Sequence, residues 1–426
     1  MYKLGVDVGG TNTDAVLIDE NLNVVGEIKH PTTGNIFEGI MGAVQGLLAQ
    51  TGVDRGQIAQ AMLGTTQCTN AIVERRNLAK IGLLRIGAPA TLGVPPMADW
   101  AEDIRSIVED DSIDTVVEAM GGLHPAYEFV RAAMEAGKNV VTSNKALVCT
   151  FYDELLPLVK EKGISFRCTA AVGGGIGWLS ELERARRVQK IMEVGGIMNG
   201  TCNYILDNMT RRGSDYAETL KEAQKLGYAE ANPSTDVDGI DTWHKVILSS
   251  NIAFGISLEK NSVPVAGIRN ITAADVENFK AHGKVCKLIS TGKRTGTGFS
   301  AYVQPTLVND GEPEAAVPLN YNLITFVGET SERMSFFGQG AGRYPTAYNV
   351  VQDLVDVLSG KGFYAPYGQP QAADNSEKLS WYVRGSWLGE VAEQWNGAVI
   401  TAPVAVSEMH DWLKANPDAF IAAIAQ

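Results

Sequence analysis

Residues 114–145 read DTVVEAMGGLHPAYEFVRAAMEAGKNVVTSNK, and this stretch decides the fold class of the larger part of the chain. The apolar runs that end at Gly121 and at Thr142 predict two strands, and the segment between them has helical spacing with a glycine stop. Residues 152–170, YDELLPLVKEKGISFRCTA, add another helix and another strand. A βαβαβ succession of this kind predicts a parallel sheet.

Polar residues follow the second of these strands at its carboxyl end, where Thr142, Ser143, Asn144 and Lys145 are consecutive. Open α/β sheets bind ligands at the carboxyl ends of their strands. A lone lysine at this position is more commonly a helix-start residue, so a structural role for Lys145 stays open.

The composition is that of a globular protein, with 45% hydrophobic and 20% charged residues among 426. A net charge of −13 argues against nucleic acids and anionic membranes as partners. The five cysteines contain no Cys-x-x-Cys pair, which predicts reduced thiols and not disulfides or zinc ligands. No signal peptide or membrane-spanning stretch is recognisable, so we expect a cytoplasmic protein.

Residues 2–19, YKLGVDVGGTNTDAVLID, place a glycine turn with Asp7 between two apolar strands. Such a turn can hold an anion on its amide groups, and an incidental hairpin is equally open. Together with LGTTQCTNAIVERRNLAKIGLLRIG at residues 63–87, this stretch resembles the N-terminal segment of the hydantoinase/oxoprolinase family. The resemblance implies an actin-like, ribonuclease-H-like half-domain, without the second half that encloses ATP in the related ATPases.

Residues 227–246, GYAEANPSTDVDGIDTWHKV, bring Glu230, Asp236 and Asp241 close to one lysine. Asp241 and Lys245 share a helix face as an i, i+4 pair, and Glu230 and Asp236 precede them. A surface salt bridge, which contributes a few tenths of a kcal/mol, is the simpler interpretation and the one that spacing alone favours. The functional alternative is a lysine held by carboxylates beside a substrate ammonium, where it can exchange a proton.

Five motifs change this balance, because in this order they resemble the homoserine dehydrogenase family over about residues 107–357. They are IDTVVEAMGG (113–122), GKNVVTSNKAL (137–147), GGIMNGTCNYIL (195–206), LGYAEANPSTDVDGIDTWHK (226–245) and FGQGAGRYPTAYNVVQDLVD (337–356). The resemblance implies hydride transfer between NAD or NADP and a small amino-acid substrate, homoserine or aspartate semialdehyde. It also implies a homodimer that pairs through the sheet of the central domain.

The resemblance further implies roles for individual residues. The catalytic group consists of Lys245, Lys145 and Asp241, the last orienting Lys245. The substrate-binding group consists of Thr201, Glu230 and Asp236. The cofactor-binding group consists of Gly121, Thr142, Ser143, Asn144, Gly340, Ala341 and Gly342.

The chain departs from the family pattern at two places. The GxGxxG turn that seats a dinucleotide pyrophosphate is missing, since Gly87–Gly93 contains Pro89 and has the wrong glycine spacing. Thr169 and Gly177 stand where the family has a glutamate and a proline. The threonine at position 169 puts in doubt the monovalent cation that the family pattern places near Val172 and Gly174.

The sequence therefore predicts an α/β fold in which an actin-like half-domain joins a partial Rossmann-type parallel sheet and an α+β catalytic and dimerisation domain. We expect the half-domain at 1–105, the nucleotide-binding remnant at 106–150 with 338–360 returning to it, the catalytic domain at 151–337 and a small tail at 361–426. The expected function is that of a homoserine dehydrogenase with altered cofactor binding. The alternatives are a non-catalytic amino-acid-binding fusion protein and, more weakly, an ATP-dependent hydrolase of the hydantoinase/oxoprolinase type.

Overall fold

A computed structural model describes residues 2–8, 12–31, 36–65, 81–83, 104–296, 298–361 and 368–425. The chain divides into two units, Met1–Lys80 and Ile81–Gln426. The turn at residues 9–11, the segment NAIVERRN (70–77), whose sequence predicts a helix, and the stretch 87–100, whose glycines and prolines predict a connector, lie outside the described residues.

The first unit is a twisted sheet with a helix on one face. Its described elements are β1 (Tyr2–Val8), β2 (Asn12–Ile18), β3 (Val24–Pro31), α1 (Ile36–Thr51) and β4 (Ile58–Thr65). The spatial order is β3-β2-β1-β4, antiparallel except that β4 runs parallel to β1. Alternate residues such as Leu4, Ala15 and Leu17 are buried with Ala43 and Leu47 of α1. This arrangement is consistent with the expected actin-like half-domain.

The second unit contains the parallel sheet that the βαβαβ pattern predicts. Its described strands, in spatial order, are β5 (Ile81–Leu83), β6 (Thr115–Glu118), β7 (Asn139–Thr142) and β8 (Phe166–Arg167). The helices around it are α2 (Ile104–Val108), α3 (Ala126–Glu135), α4 (Lys145–Thr150) and α5 (Tyr152–Lys162). Side chains of β6, β7 and β8 are buried against these helices.

Strand β5 belongs to the second unit, so the boundary between the units lies earlier in the chain than the sequence predicts. The sequence assigns KIGLLRI to the first segment and places a boundary near residue 105, but the units divide after Lys80. The cause is parallel hydrogen bonding between Ile81–Leu83 and β6. Pairing of this kind depends on long-range geometry, which the Gly/Pro-rich composition that follows the strand does not reveal.

A large mixed sheet forms the centre of the second unit. Its described strands, in spatial order, are β14 (Glu332–Gln339), β13 (Tyr321–Gly328), β9 (Ile191–Ile197), β11 (Lys284–Arg294), β12 (Phe299–Asn309), β21 (Phe420–Ile424), β17 (Trp381–Arg384), β19 (Ala398–Thr401) and β18 (Val391–Trp395). Two short ladders pair β10 (Ser257–Leu258) with β15 (Pro370–Gln371), and β16 (Lys378–Leu379) with β20 (Val404–Ala405). Since β21 pairs with β12, residues of the expected tail extend the central sheet.

Helices of the second unit pack on this sheet. They are α6 (Trp178–Ala185), α7 (Gly200–Arg212), α8 (Tyr216–Lys225), α9 (Ser234–Val237), α10 (Ile240–Phe254), α11 (Ala273–Ala281), α12 (Pro313–Ala316), α13 (Arg343–Leu358) and α14 (Val406–Ala415). Helix α10 contacts β9, β11, β12 and α4, and its residues from Lys245 onward are buried. Gly239 and Gly255, both with positive φ, bound this helix. A buried helix therefore lies between the central sheet and α4, the helix that follows β7.

Within the described ranges, no helix is long and apolar enough to cross a membrane. Among the described residues, Cys149, Cys168, Cys202 and Cys286 are free and buried. Burial raises the pKa of the Cys149 thiol to about 12, so this cysteine is a packing residue and not a nucleophile.

Candidate active site

The centre of the candidate site is a carboxylate shared by two lysines. Asp241 lies in the first turn of α10, and its Oδ2 contacts Lys245 Nζ at 2.7 Å. Its Oδ1 contacts the Nζ of Lys145, at the start of α4, at 3.2 Å. The Asp241 and Lys245 side chains are 8% and 7% exposed, whereas that of Lys145 is 36% exposed. The pair is therefore buried, and the surface salt bridge that spacing alone favours is wrong.

The link between β9 and α7 completes this arrangement. Lys245 Nζ donates a hydrogen bond to the Met198 carbonyl oxygen at 2.6 Å. The next residue, Asn199, caps α7 with its Oδ1. Its Nδ2 donates to Asp241 Oδ2 and to Asp236 Oδ1, both at 2.8 Å. One amide thus holds two carboxylates together.

The predicted substrate-binding residues lie around this amide. Thr201, in the first turn of α7, donates through Oγ1 to the Tyr228 carbonyl at 2.5 Å. Asp236 lies in α9 and is half-buried. Glu230 is exposed, and after Asp241 and Asp236 its negative charge also contributes to the raised pKa of Lys145. The structure therefore brings Asp236 and Thr201 into the cluster and leaves Glu230 at its rim.

The charges of the cluster act on one another. Burial alone would raise the pKa of Asp241, but Lys245 and Lys145 hold the pKa of this carboxyl well below its usual range. The charge of Asp241 in turn raises the pKa of Lys145. Burial and the charge of Asp241 raise the pKa of Asp236. With Glu230, three carboxylates face two lysines, a formal surplus of one negative charge that a ligand ammonium can balance.

The carboxyl ends of β6 and β7 are joined by a buried glutamate. Thr142 Oγ1 donates to Glu118 Oε2, and the Met120 amide donates to Glu118 Oε1 at 2.7 Å. Glu118 and Thr142 are 3% and 0% exposed. The predicted cofactor residue Thr142 is therefore fixed by hydrogen bonds and does not project freely from the strand.

The loops after these strands meet beside the lysines. Gly121 and Gly122 have φ near +75° and +73°, and a Cβ on either would meet open space. Asn144 caps α4 with its Oδ1 and donates through Nδ2 to the Gly122 carbonyl at 2.7 Å. The Ser143 carbonyl accepts from the amide of Lys145 at 3.1 Å. The predicted cofactor residues of both loops thus form one connected edge that leads to Lys145.

The predicted Gly340–Gly342 turn follows β14 and opens α13. The Thr346 amide donates to the Gly342 carbonyl at 3.0 Å, which begins the helix. A Cβ on Gly340 would lie 1.8 Å from Asn322 Nδ2, and a Cβ on Gly174 would lie 2.6 Å from the Gly340 carbonyl oxygen. Ala341, between Gly340 and Gly342, is exposed. The turn is packed from two sides, so glycine is required at both close approaches.

Thr169, which stands in place of the family glutamate, faces a buried ion cluster. Its Oγ1 and amide donate to the two carboxylate oxygens of Asp353 at 2.6 and 2.8 Å. Arg167 contacts Asp353 at 3.1 Å, Asp356 at 3.0 Å and Glu183 at 3.6 Å. The charge of Asp353 is therefore matched by a buried guanidinium.

These contacts bear on the monovalent cation expected near Val172 and Gly174. The Gly174 carbonyl accepts a hydrogen bond from Asn349 Nδ2 at 2.5 Å, and Thr169 offers no charge. Among the described residues, no group of three or more His, Cys, Asp or Glu side chains could hold a metal ion. Thr169 supplies no carboxylate and the Gly174 carbonyl already accepts a hydrogen bond, so the monovalent cation stays a prediction.

Comparisons with known proteins agree with both resemblances. The homoserine dehydrogenase model matches residues 178–355, and the hydantoinase/oxoprolinase N-terminal region matches residues 3–136, beyond the expected residue 105. A homoserine dehydrogenase from Synechocystis is 34% identical over 317 residues, which cover 74% of this chain and 72% of that protein. The chain belongs to the homoserine dehydrogenase family.

Solved structures of homoserine dehydrogenases share its fold. The enzyme from Thiobacillus denitrificans matches with a TM-score of 0.68 and 27% identity over 86% of this chain and 90% of that one. The homoserine dehydrogenase from Bacillus subtilis is 38% identical over 256 residues, and the chain spans 59% of its length. The expected α/β fold class is confirmed.

Two residues of the candidate site escape prediction from sequence. Asn199 is recognisable as a helix cap, but its bond to two carboxylates depends on the packing of α7 against α9 and α10. Glu118 ends an apolar strand, and a charge in that position was an available indication of a buried polar contact.

Proposed function

We propose that this chain catalyses the NAD- or NADP-dependent interconversion of homoserine and aspartate semialdehyde. The observation that carries the proposal is the buried carboxylate of Asp241 with Lys245 at 2.7 Å and Lys145 at 3.2 Å. Homoserine dehydrogenases at 34–39% identity support the reaction class. The combination supplies proton transfer and amino-acid recognition within one cluster.

The acidic residues would bind the substrate amino group. Asp236 accepts a hydrogen bond from Asn199 and is also close to Thr201. Glu230 lies at the exposed rim of the cluster. An ammonium between these carboxylates would neutralise the surplus negative charge. Charge-assisted hydrogen bonds of this kind contribute about 1.5–3 kcal/mol each.

The lysines would act on the reacting oxygen. Lys245 is held between Asp241 and the Met198 carbonyl, which fixes its ammonium in one position. In the direction of aldehyde reduction, a lysine ammonium donates a proton to the oxygen as negative charge develops there. Lys145, whose pKa is raised by Asp241, stays protonated and supplies a second donor from the more exposed side.

The nicotinamide end of a dinucleotide would lie beside this cluster. Bound NAD(H) or NADP(H) would accept or supply the hydride. Gly121, the Thr142–Asn144 loop and the Gly340–Gly342 turn would hold it, since the backbone at Gly121 borders open space next to fixed polar groups. The segment after β5, where a pyrophosphate turn is expected from the family, lies outside the described residues.

We further propose a homodimer in the cytoplasm. The strand β14 at the edge of the central sheet is mostly exposed, and it presents Met334 and Phe337 at 44% and 56% exposure. An apolar sheet edge of this kind is suited to pairing with a second copy. The free cysteines accord with a reducing compartment.

The decisive experiment measures oxidation of NADPH and NADH by aspartate semialdehyde, with Lys245→Met and Lys225→Met as variants. Lys225 lies at the exposed end of α8, so its loss controls for the removal of one charge. We expect turnover in the wild type and in Lys225→Met, and a loss of at least about 10²-fold in Lys245→Met. Absence of turnover with both cofactors refutes the proposal. Homoserine binding that persists without cofactor binding would instead identify an amino-acid-binding protein, the alternative favoured by the missing GxGxxG turn.

A further inference from the structure

The Gly340–Gly342 turn rests on a buried amide without hydrogen bonds. Asn322 in β13 is 0% exposed, and neither its Nδ2 nor its Oδ1 has a partner within the described part of the chain. Other buried asparagines near the site are bonded, as Asn199 and Asn349 show. A buried amide with both groups unpaired is unfavourable, so any state of the protein that pairs them gains stability relative to this one.

The surroundings of Asn322 restrict which groups can pair with it. Its backbone is fixed opposite Gly338 in the β13–β14 ladder. Its side chain is directed at Gly340, where a Cβ would approach Nδ2 to 1.8 Å and Oδ1 to 2.7 Å. The Asn322 amide therefore lies against Gly340, the first residue of the turn. Because Gly342 has a φ of 123°, this turn has conformations open to glycine alone.

The same strand touches the substrate side of the site. A Cβ on Gly200 would lie 2.7 Å from the Asn320 carbonyl, so the first turn of α7 rests on the residue that precedes β13. Asn203 of α7 also donates to the Leu319 carbonyl at 2.7 Å. The strand that carries Asn322 is therefore adjacent to α7, the helix that Asn199 caps and that contains Thr201.

We propose that Asn322 is a positioning residue for the Gly340–Gly342 turn. This inference rests on the proposed function. When cofactor and substrate bind, the turn shifts against Asn322, whose Nδ2 donates to a carbonyl of the turn and whose Oδ1 accepts from an amide of the turn. The two hydrogen bonds hold the turn in its ligand-bound position. Asn322 itself touches no reacting atom.

The test compares Asn322→Leu, which keeps the branched shape without polar atoms, with Asn278→Leu. Asn278 is also buried but bonded, donating to the Asn396 carbonyl at 2.6 Å. Without ligand, we expect the Tm of Asn322→Leu to equal or exceed that of the wild type and the Tm of Asn278→Leu to fall. A clear fall in the Tm of Asn322→Leu would show that Asn322 is already bonded without ligand, which overturns the proposal whatever the enzyme does.

The second readout is ligand-dependent. NADP⁺ with homoserine should protect the amides of residues 337–345 from hydrogen exchange in the wild type and less so in Asn322→Leu. The KM for NADP⁺ should rise about tenfold in Asn322→Leu and stay unchanged in Asn278→Leu, with kcat less affected than KM. An active wild type with equal protection and equal KM in Asn322→Leu overturns the inference and leaves the proposed function intact. A wild type without turnover or protection, with NAD⁺ or NADP⁺, overturns both.

Discussion

Asp241 and Lys245 form a buried ion pair, with Oδ2 and Nζ 2.7 Å apart across one turn of α10. Each has a further partner, because Asp241 also contacts Lys145 and Lys245 also donates to the Met198 carbonyl. Removing one member of such a pair leaves an uncompensated buried charge, which typically costs about 3–5 kcal/mol.

Replacing Asp241 should therefore affect both stability and turnover. In Asp241→Asn, we expect a lower Tm and a decrease in kcat of about 10²-fold or more, since Lys245 is no longer oriented. Thermal unfolding and steady-state kinetics measure the two effects. Asp238→Asn is the matched control, because Asp238 pairs with Arg269 at 40% and 50% exposure and should change both quantities little. Equal effects in the two variants would contradict the assignment.

The pKa of Asp236 predicts how substrate affinity depends on pH. Burial and the charge of Asp241 raise this pKa, so the carboxylate is present above the raised value and is lost as the pH falls through it. The KM for homoserine should therefore rise toward acid pH at values above those of a free aspartate. In Asp236→Asn, the KM should be high throughout and nearly independent of pH in this range. A variant that keeps the wild-type pH profile would assign the titration to another group.

The glycine run at residues 173–177 offers a test of the packing beneath the cofactor turn. Gly174 has a φ of +51°, and an added Cβ would lie 2.6 Å from the Gly340 carbonyl, whereas Gly177 has a φ of −70° and open space. Gly174→Ala should displace the turn and raise the cofactor KM by about tenfold or more. Gly177→Ala should fold normally with a Tm equal to or above that of the wild type. If Gly174→Ala has a normal Tm and KM, the turn is not packed as described.

A buried lysine away from the site predicts a rise in stability with pH. Lys287 is fully buried, and burial lowers its pKa from 10.5 to about 8. Between these values the unfolded chain binds a proton that the folded chain does not, so the free energy of unfolding increases with pH, by an amount of the order of 3 kcal/mol. Urea unfolding from pH 8 to 10 of wild type and Lys287→Met measures the difference. Parallel curves would mean that Lys287 does not titrate in this window.

Local patterns were sufficient to predict much of this structure. The parallel strands and the helix that carries Asp241 and Lys245 follow from periodicity and glycine stops, whereas the glycine turn before Arg343 was implied by the family resemblance. The spacing of Asp241 and Lys245 also gave their contact, since residues four apart on a helix share a face.

Burial and long-range pairing were not predictable in the same way. Whether the Asp241–Lys245 pair is exposed depends on α4 covering α10, a contact between residues about a hundred positions apart. The bonds of Asn199 and the isolation of Asn322 likewise arise from the packing of several elements. The catalytic, substrate-binding and cofactor-binding roles given to the residues of the candidate site all stay predictions.

The pairing of β5 with β6 has a consequence for where the chain can be divided. The match to the hydantoinase/oxoprolinase N-terminal region includes both strands. Sequence that resembles that family therefore forms part of the parallel sheet of the second unit. An excised fragment that starts at Ile81 retains the complete described ladder. A fragment that starts at the expected boundary near residue 105 lacks β5 and exposes the edge of β6. The unpaired peptide groups of that edge would hydrogen-bond to other chains and promote aggregation.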